Sequence, residues 1–312
     1  MNGLIVVVGS LNQDLVVQLP RFPDRGETVT GDSLSLLCGG KGANQAYAAA
    51  RLGARVAMVG QVGDDAAGDA QLRSLAAVGV DTRRIRRVPN LSTGSAIVAV
   101  EPGGHNRIIV VPGANGAFCP EALEESADLL AAAAVVLLQL EIPLPTVQAA
   151  VELARRGRAR VLLDPAPARA LPDALLGHVD YLTPNLSELA TLSGRMLHDD
   201  SPADEIQHAA QELCRRGVAK VLVKVGSRGA QFVTGETSQA WPAFPVDPVD
   251  TTAAGDCFNG AFAAALAGGS SEVEAGRFAG AAAAISVTRP GAQSSMPALP
   301  EVERLLQSPR LS

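Results

Sequence analysis

The sequence predicts an α/β fold: a three-layer α/β/α core around a mostly parallel central sheet, with a small β-sheet lid beside it. Three observations carry this expectation. Short apolar runs (Leu4–Val8, Val56–Val59, Val135–Leu140, Val161–Leu163, Tyr181–Leu182 and Val221–Val225) read as strands buried on both faces. Helical patterns at 42–52, 69–78, 144–156 and 206–216 alternate with them, which implies parallel strands joined by right-handed crossovers. Two early segments, 14–37 and 92–111, break that rhythm. The second reads as a hairpin, 95–100 and 107–111 around a turn at Pro102-Gly103-Gly104. The division expected is a core of 1–13, 38–91 and 112–312, and a lid of 14–37 and 92–111 that pairs with itself. Extra edge strands on the main sheet are the plainer alternative.

Composition narrows the function classes. At 312 residues and 47% apolar, the chain can form one large core. A net charge of -6, no basic run and 3% aromatics give nucleic-acid binding little support. Cys38, Cys119, Cys214 and Cys257 form no CxxC pair, which suits buried thiols in a reducing compartment. The start lacks a basic n-region and no apolar stretch approaches the roughly 18 residues of a membrane span, so a cytoplasmic protein without membrane partners is expected. The last dozen residues are expected to fray.

In open α/β sheets ligands bind outside the carboxyl ends of the strands. Here those ends run into Ser10-Leu11-Asn12-Gln13-Asp14, Gln139-Leu140-Glu141, Asp164-Pro165, Thr183-Pro184-Asn185 with Glu188 beyond, and Lys224 with Gly226-Ser227-Arg228-Gly229. Such a row suggests a cleft lined by carboxylates and amides. Those groups suit a polyhydroxylated ligand, or magnesium held largely by waters and phosphates. Any single acid here also reads as an N-cap or a loop ion pair, Asp164 no less readily than as a site residue.

Two glycine-rich elements stand out. Cys38-Gly39-Gly40-Lys41-Gly42-Ala43-Asn44-Gln45 is neither a P-loop nor a GxGxxG fingerprint, yet it leads into a helix. Its glycines let the backbone approach a ligand, while Lys41 and Asn44 supply donors. Asp250-Thr251-Thr252-Ala253-Ala254-Gly255-Asp256 opens a helix whose core stripe is Phe258, Ala261, Phe262, Ala265 and Leu266, closed by Gly268. Gly255 thus lies at an anion-favouring helix start, and Asp256 is either a helix-stabilising acid or a catalytic one. There is no GxSxG elbow and no HExxH, and His105, His178, His198 and His208 fall in loop or helix-surface positions.

These motifs, with Thr288-Arg289-x-Gly291-Ala292-Gln293, resemble the PfkB carbohydrate kinases, and among them most closely the ribokinases, over about residues 4–297. The resemblance implies ATP-dependent phosphorylation of D-ribose at O5. It implies that Asn12, Asp14, Gly40, Lys41, Gly42, Asn44 and Glu141 hold the sugar, and that Asn185 and Glu188 organise Mg2+ through water. Lys224, Val225, Gly226, Ser227, Arg228 and Gly229, with Gly255 and Gly280, would border ATP. Ala253, Ala254 and Gly255 would form an anion hole, and Asp256 would be the general base. Asp250, Thr252, Ser286, Arg289, Gly291 and Ser295 would form a K+ loop, several through backbone oxygens. The lid would cover the sugar and join a homodimer. Lys224 departs from the pattern, which often has Thr or Ser there, and so does Gln13, where Ala is common. Kept open are another PfkB kinase acting on a deoxy sugar, ketose or nucleoside, a silent sugar sensor, and, against the missing GxGxxG, a dinucleotide oxidoreductase.

Overall fold

Strand β1 (Leu4–Val8) lies inside the main sheet, and its five apolar residues divide between two cores. Val6 and Val8 face one core, Ile5 and Val7 the other, all fully buried. A strand covered on both sides needs an unbroken apolar run rather than an alternating one. The computed structural model describes residues 3–103 and 105–307. Gly104, placed in the expected turn, and residues 308–312 of the tail lie outside that description.

After β1 come β2 (Asn12–Gln18), β3 (Ser33–Gly39), α1 (Lys41–Arg51), β4 (Arg55–Gly63), α2 (Ala66–Ala77), β5 (Asp81–Val88), β6 (Gly94–Val100) and β7 (Asn106–Val111). The chain continues through α3 (Ala127–Ala131), β8 (Val135–Leu138), α4 (Leu144–Arg155), β9 (Arg160–Leu163), α5 (Asp173–Leu176), β10 (Tyr181–Leu182), α6 (Leu186–Ser193) and α7 (Ala203–Arg215). It ends with β11 (Lys220–Lys224), β12 (Ala230–Val233), β13 (Ser238–Trp241), α8 (Ala254–Ala267), α9 (Glu272–Ser286) and α10 (Leu299–Gln307). The main sheet runs β13-β12-β11-β10-β9-β8-β1-β4-β5 and is parallel from β11 to β5, with β12 and β13 antiparallel at one edge. Helices pack on both faces. The chain builds outward from β1 to β4 and β5 on one side and to β8 and beyond on the other. The switch point therefore lies between β1 and β8, where the crevice of such a sheet opens.

The smaller sheet runs β3-β2-β6-β7, with β2 parallel to β6 and the other pairs antiparallel. The two rhythm-breaking segments do pair with each other, although β2 starts at Asn12 and β3 reaches Gly39. The sheet therefore grows directly out of both sequence motifs. Its outer strand β7 is exposed throughout, and Leu34, Leu36, Ile108 and Ile109 are each more than half exposed.

Several elements differ from expectation. Strand β5, Asp-Thr-Arg-Arg-Ile-Arg-Arg-Val, was not expected, because an edge strand that buries only Ile85 carries no apolar signal. Strand β13, at the opposite edge and buried mainly at Trp241, escapes for the same reason, whereas β12 is buried throughout but is only four residues long and includes Gln231. Helix α8 buries nearly its whole circumference rather than one stripe, since it is packed between α1 and α9. A Cβ on Gly260 would stand 2.6 Å from the Gln45 carbonyl, so glycine allows α1 and α8 to touch. The expected frayed tail is helical through Gln307, with Val302 fully buried.

Candidate active site

The site is assembled around Glu141, beyond β8. Its Oε2 accepts from Ser10 Oγ at 2.5 Å, from the Lys41 N–H at 3.1 Å and from Asn12 Nδ2 at 3.5 Å. One carboxylate therefore staples the β1 end, the start of β2 and the first turn of α1 across the switch point. It also lies at the positive end of α1. Gly40 makes the approach possible: its φ is +88°, and a Cβ there would meet the Asn12 nitrogen at 2.6 Å. Asn12 is buried, and its Oδ1 accepts from Asn115 Nδ2 at 2.8 Å. Asn115, more than a hundred residues away, went unnoticed in the sequence; no periodicity marks it.

Asp14 extends from β2 toward the same place. Burial pushes its carboxyl up to about 7, reinforced by Glu141 and Asp256 and opposed by Lys41. The fold thus holds a proton that the unfolded chain has released between about pH 4 and 7. Over that window stability falls as pH rises. Asp14→Asn removes the term. Between pH 5 and pH 8 the urea midpoint of the wild type is expected to drop further than that of the variant, and parallel drops would refute this account.

Asp256 lies in the first turn of α8, buried at the cavity wall, between Asn44 Nδ2 at 3.0 Å and Gln45 Nε2 at 3.1 Å. Burial raises its pKa and nearby Asp164 adds to the rise, while Lys41 and the two amide donors oppose it. For Lys41, burial works against the charge, but Asp256, Asp164, Glu141 and Glu188 together hold the ammonium firmly protonated. The helix start is strained: Ala253 has φ +57°, a left-handed conformation that costs a non-glycine residue about 1–2 kcal/mol. Such strain clusters at functional sites. The Ala254 N–H donates to the Thr251 carbonyl at 3.2 Å, so the first-turn donors left to face a ligand centre on Gly255.

Asn185 and Glu188 form a reciprocal capping box on α6. Asn185 Oδ1 accepts from the Glu188 N–H at 2.8 Å, and Glu188 Oε2 from the Asn185 N–H at 2.8 Å. The cap alone explains their spacing. Their place in the cleft wall beside Asp164 and Lys224 does not follow from capping. Burial raises the Glu188 pKa, with Lys224 opposing. These oxygens are of the hard type that magnesium takes, directly or through water.

From this point a cavity of about 790 Å³ runs along the strand ends. Gly226, Ser227 and Gly229 form one side of it. Val225 is buried behind them, and the Arg228 guanidinium donates instead to the Ser201 carbonyl at 2.7 Å. The far end is an apolar slot between Phe244, Val246, Gly276, Gly280, Ala283 and Val287. Of these the sequence had pointed only to Gly280. The 242–248 segment has no regular structure, and therefore no signature.

The remaining motif residues gather beside the α8 start. Asp250 Oδ1 accepts from the Thr252 N–H at 2.9 Å and its Oδ2 from the Gly291 N–H at 2.8 Å. These bonds outweigh burial and lower its pKa. The Asp250 N–H reaches the Val287 carbonyl at 3.1 Å, which brings Ser286 and Arg289 alongside. The Ser286 and Ser295 hydroxyls turn onto backbone carbonyls, and Arg289 pairs with Glu301. What this loop can present to a cation is thus mainly backbone oxygen. No group of three or more metal-type side chains is found among the described residues.

Over 302 residues the chain is 42% identical to a ribokinase of Bacillus subtilis, covering 97% of this chain and 99% of that one. Over 304 residues it is 38% identical to a deoxyribokinase of Salmonella typhimurium, covering 97% and 98%. The structure of Arabidopsis thaliana ribokinase complexed with ribose and ATP superposes with a TM-score of 0.93 at 37% identity, covering 99% of this chain and all of that one. The model of the pfkB family of carbohydrate kinases matches residues 2–299, and the chain belongs to that family.

Proposed function

We propose that the protein transfers the γ-phosphoryl group of ATP to O5 of D-ribose, giving D-ribose 5-phosphate and ADP. The observation that carries this reading is Asp256: a buried carboxylate at a strained helix start, in a cavity whose polar end holds Lys41 and whose far end is an apolar slot. Asp256 takes the O5 proton as the hydroxyl attacks, and the Gly255 end of α8, next to Ala253, receives the developing negative charge, while the Ala254 N–H stays bonded to the Thr251 carbonyl. Asn12, Asp14, Gly40, Lys41, Gly42, Asn44 and Glu141 hold the sugar. Asn44 is in keeping with this, because its buried Oδ1 has no hydrogen-bond partner among the described residues, an acceptor the fold leaves unspent. Asn185 and Glu188 hold magnesium through water; the ion supplies neutralisation of phosphate charge. The Asp250–Ser295 loop takes a monovalent cation, potassium in this reading, which supplies positive charge beside the helix start.

Residues 14–37 and 92–111 act as a lid over the sugar, with the rest of the chain as the core. Lid closure excludes water from the transfer. The apolar outer face of the small sheet supports pairing of two copies there. No described helix is long and apolar enough to cross a membrane.

The deoxyribokinase relative makes 2-deoxyribose the second reading, and a coupled ATPase assay separates the two. A site built to bond the 2-hydroxyl rejects an analogue lacking it by several orders of magnitude. Turnover is expected with ribose, rising on potassium addition, in a protein that sediments as a dimer. Equal kcat/KM for 2-deoxyribose, or activity with a nucleoside alone, would remove the ribose assignment and leave the kinase.

A further inference from the structure

The cleft is crowded with negative charge. Asp14, Glu141, Asp164, Glu188 and Asp256 meet there, against Lys41 and Lys224. A nucleotide triphosphate adds more. Asp164 is 2% exposed, and its Oδ1 accepts from Lys224 Nζ at 2.9 Å. The Lys224 side chain is itself only 15% exposed. A Cβ built on Gly255 would lie 3.3 Å from that Nζ, so the ammonium rests against the first turn of α8. An ammonium has three N–H donors, and Asp164 takes one. Both residues line the cavity.

The other oxygen of Asp164 leads back to the base. Gln45 Nε2 donates to Asp164 Oδ2 at 2.9 Å and to Asp256 Oδ1 at 3.1 Å. Gln139 Nε2 fixes Gln45 by donating to its Oε1 at 2.7 Å. Both glutamines are fully buried. A single hydrogen-bonded chain thus connects the proton acceptor to a cation beside the anion-binding turn.

We infer that Lys224 is a catalytic residue that bonds the phosphoryl group in transfer beside Gly255, and that Asp164 positions it while Gln45 keeps that carboxylate in register with Asp256. The ammonium donates hydrogen bonds and keeps its proton. Its charge offsets Asp164 before the nucleotide enters, so the second carboxylate near the phosphate does not repel it. This inference rests on the kinase reading, but not on which sugar is the acceptor.

The test is calorimetric binding of AMP-PNP with magnesium, and of ADP with magnesium, without sugar. Lys224→Met is expected to weaken AMP-PNP about 10–100-fold, the value of a charge-assisted hydrogen bond, and ADP less than threefold. Asp164→Asn is expected to weaken AMP-PNP by a smaller factor. The neutral double variant Lys224→Met/Asp164→Asn, which leaves no uncompensated buried charge, is expected to stay about tenfold weaker than wild type while binding no more weakly than Lys224→Met. AMP-PNP binding by the double variant within twofold of wild type overturns the inference. Equal losses for ADP overturn the assignment to the transferring group, and unchanged binding in Asp164→Asn overturns the positioning role. A wild type that binds no AMP-PNP sinks the kinase reading itself, a result distinct from all of these.

Discussion

Asp256→Asn is expected to lower kcat by about 10²–10⁴-fold while the protein stays folded. The loss is chemical: an amide cannot accept the O5 proton. Stability is expected to change little, for two reasons. The buried carboxylate is disfavoured by its own desolvation, a cost the neutral amide does not carry. In addition, the Asn44 amide, whose Oδ1 is unpartnered, turns over to accept from the new NH2 group. Because the Asp256 pKa is raised, the wild-type rate falls on the acid side as the base protonates, and the residual rate of the variant lacks that limb. Steady-state kinetics with thermal melting decide the matter. A folded variant that keeps a tenth of wild-type turnover would remove Asp256 as the base.

Glu141→Ala has the second largest expected effect, and it divides between stability and substrate. Truncation strips the acceptor from the buried Ser10 hydroxyl and from the Lys41 N–H that opens α1. Hydrogen bonds to a charged group are worth about 1.5–3 kcal/mol each, so a loss of a few kcal/mol is expected. Asn12 loses one of its two anchors at the same time, so the KM for sugar is expected to rise on the order of 10–100-fold. Glu141→Gln keeps the shape and an acceptor, and recovers most of the stability but less of the sugar affinity. Urea unfolding and sugar saturation curves separate these outcomes. A sugar KM within twofold of wild type in the Ala variant would show that Glu141 is only a structural staple.

The sequence by itself determined the alternation of buried strands with helices, the pairing of the two irregular segments, and the row of polar residues beyond the strand ends. These are local facts: burial on two faces writes continuous apolar runs, and a close backbone approach writes glycine, as at Gly40. The candidate base was legible for the same reason, since Asp256 sits in a short motif at a helix start. The tertiary structure alone decided which groups hold the Asp256 carboxylate. Gln45 and Asp256 are 211 residues apart, and Asn12 and Asn115 are 103 apart. A hydrogen bond across such a span leaves no period in the chain. The same holds for Asp164, which reads in sequence as a cap, a loop ion pair or a ligand; only the fold sets Lys224 against one of its oxygens and Gln45 against the other. The apolar slot was equally hidden, because one wall is the irregular 242–248 segment, which carries no repeat, and the other is small residues of α9 that the chain does not mark as facing a ligand.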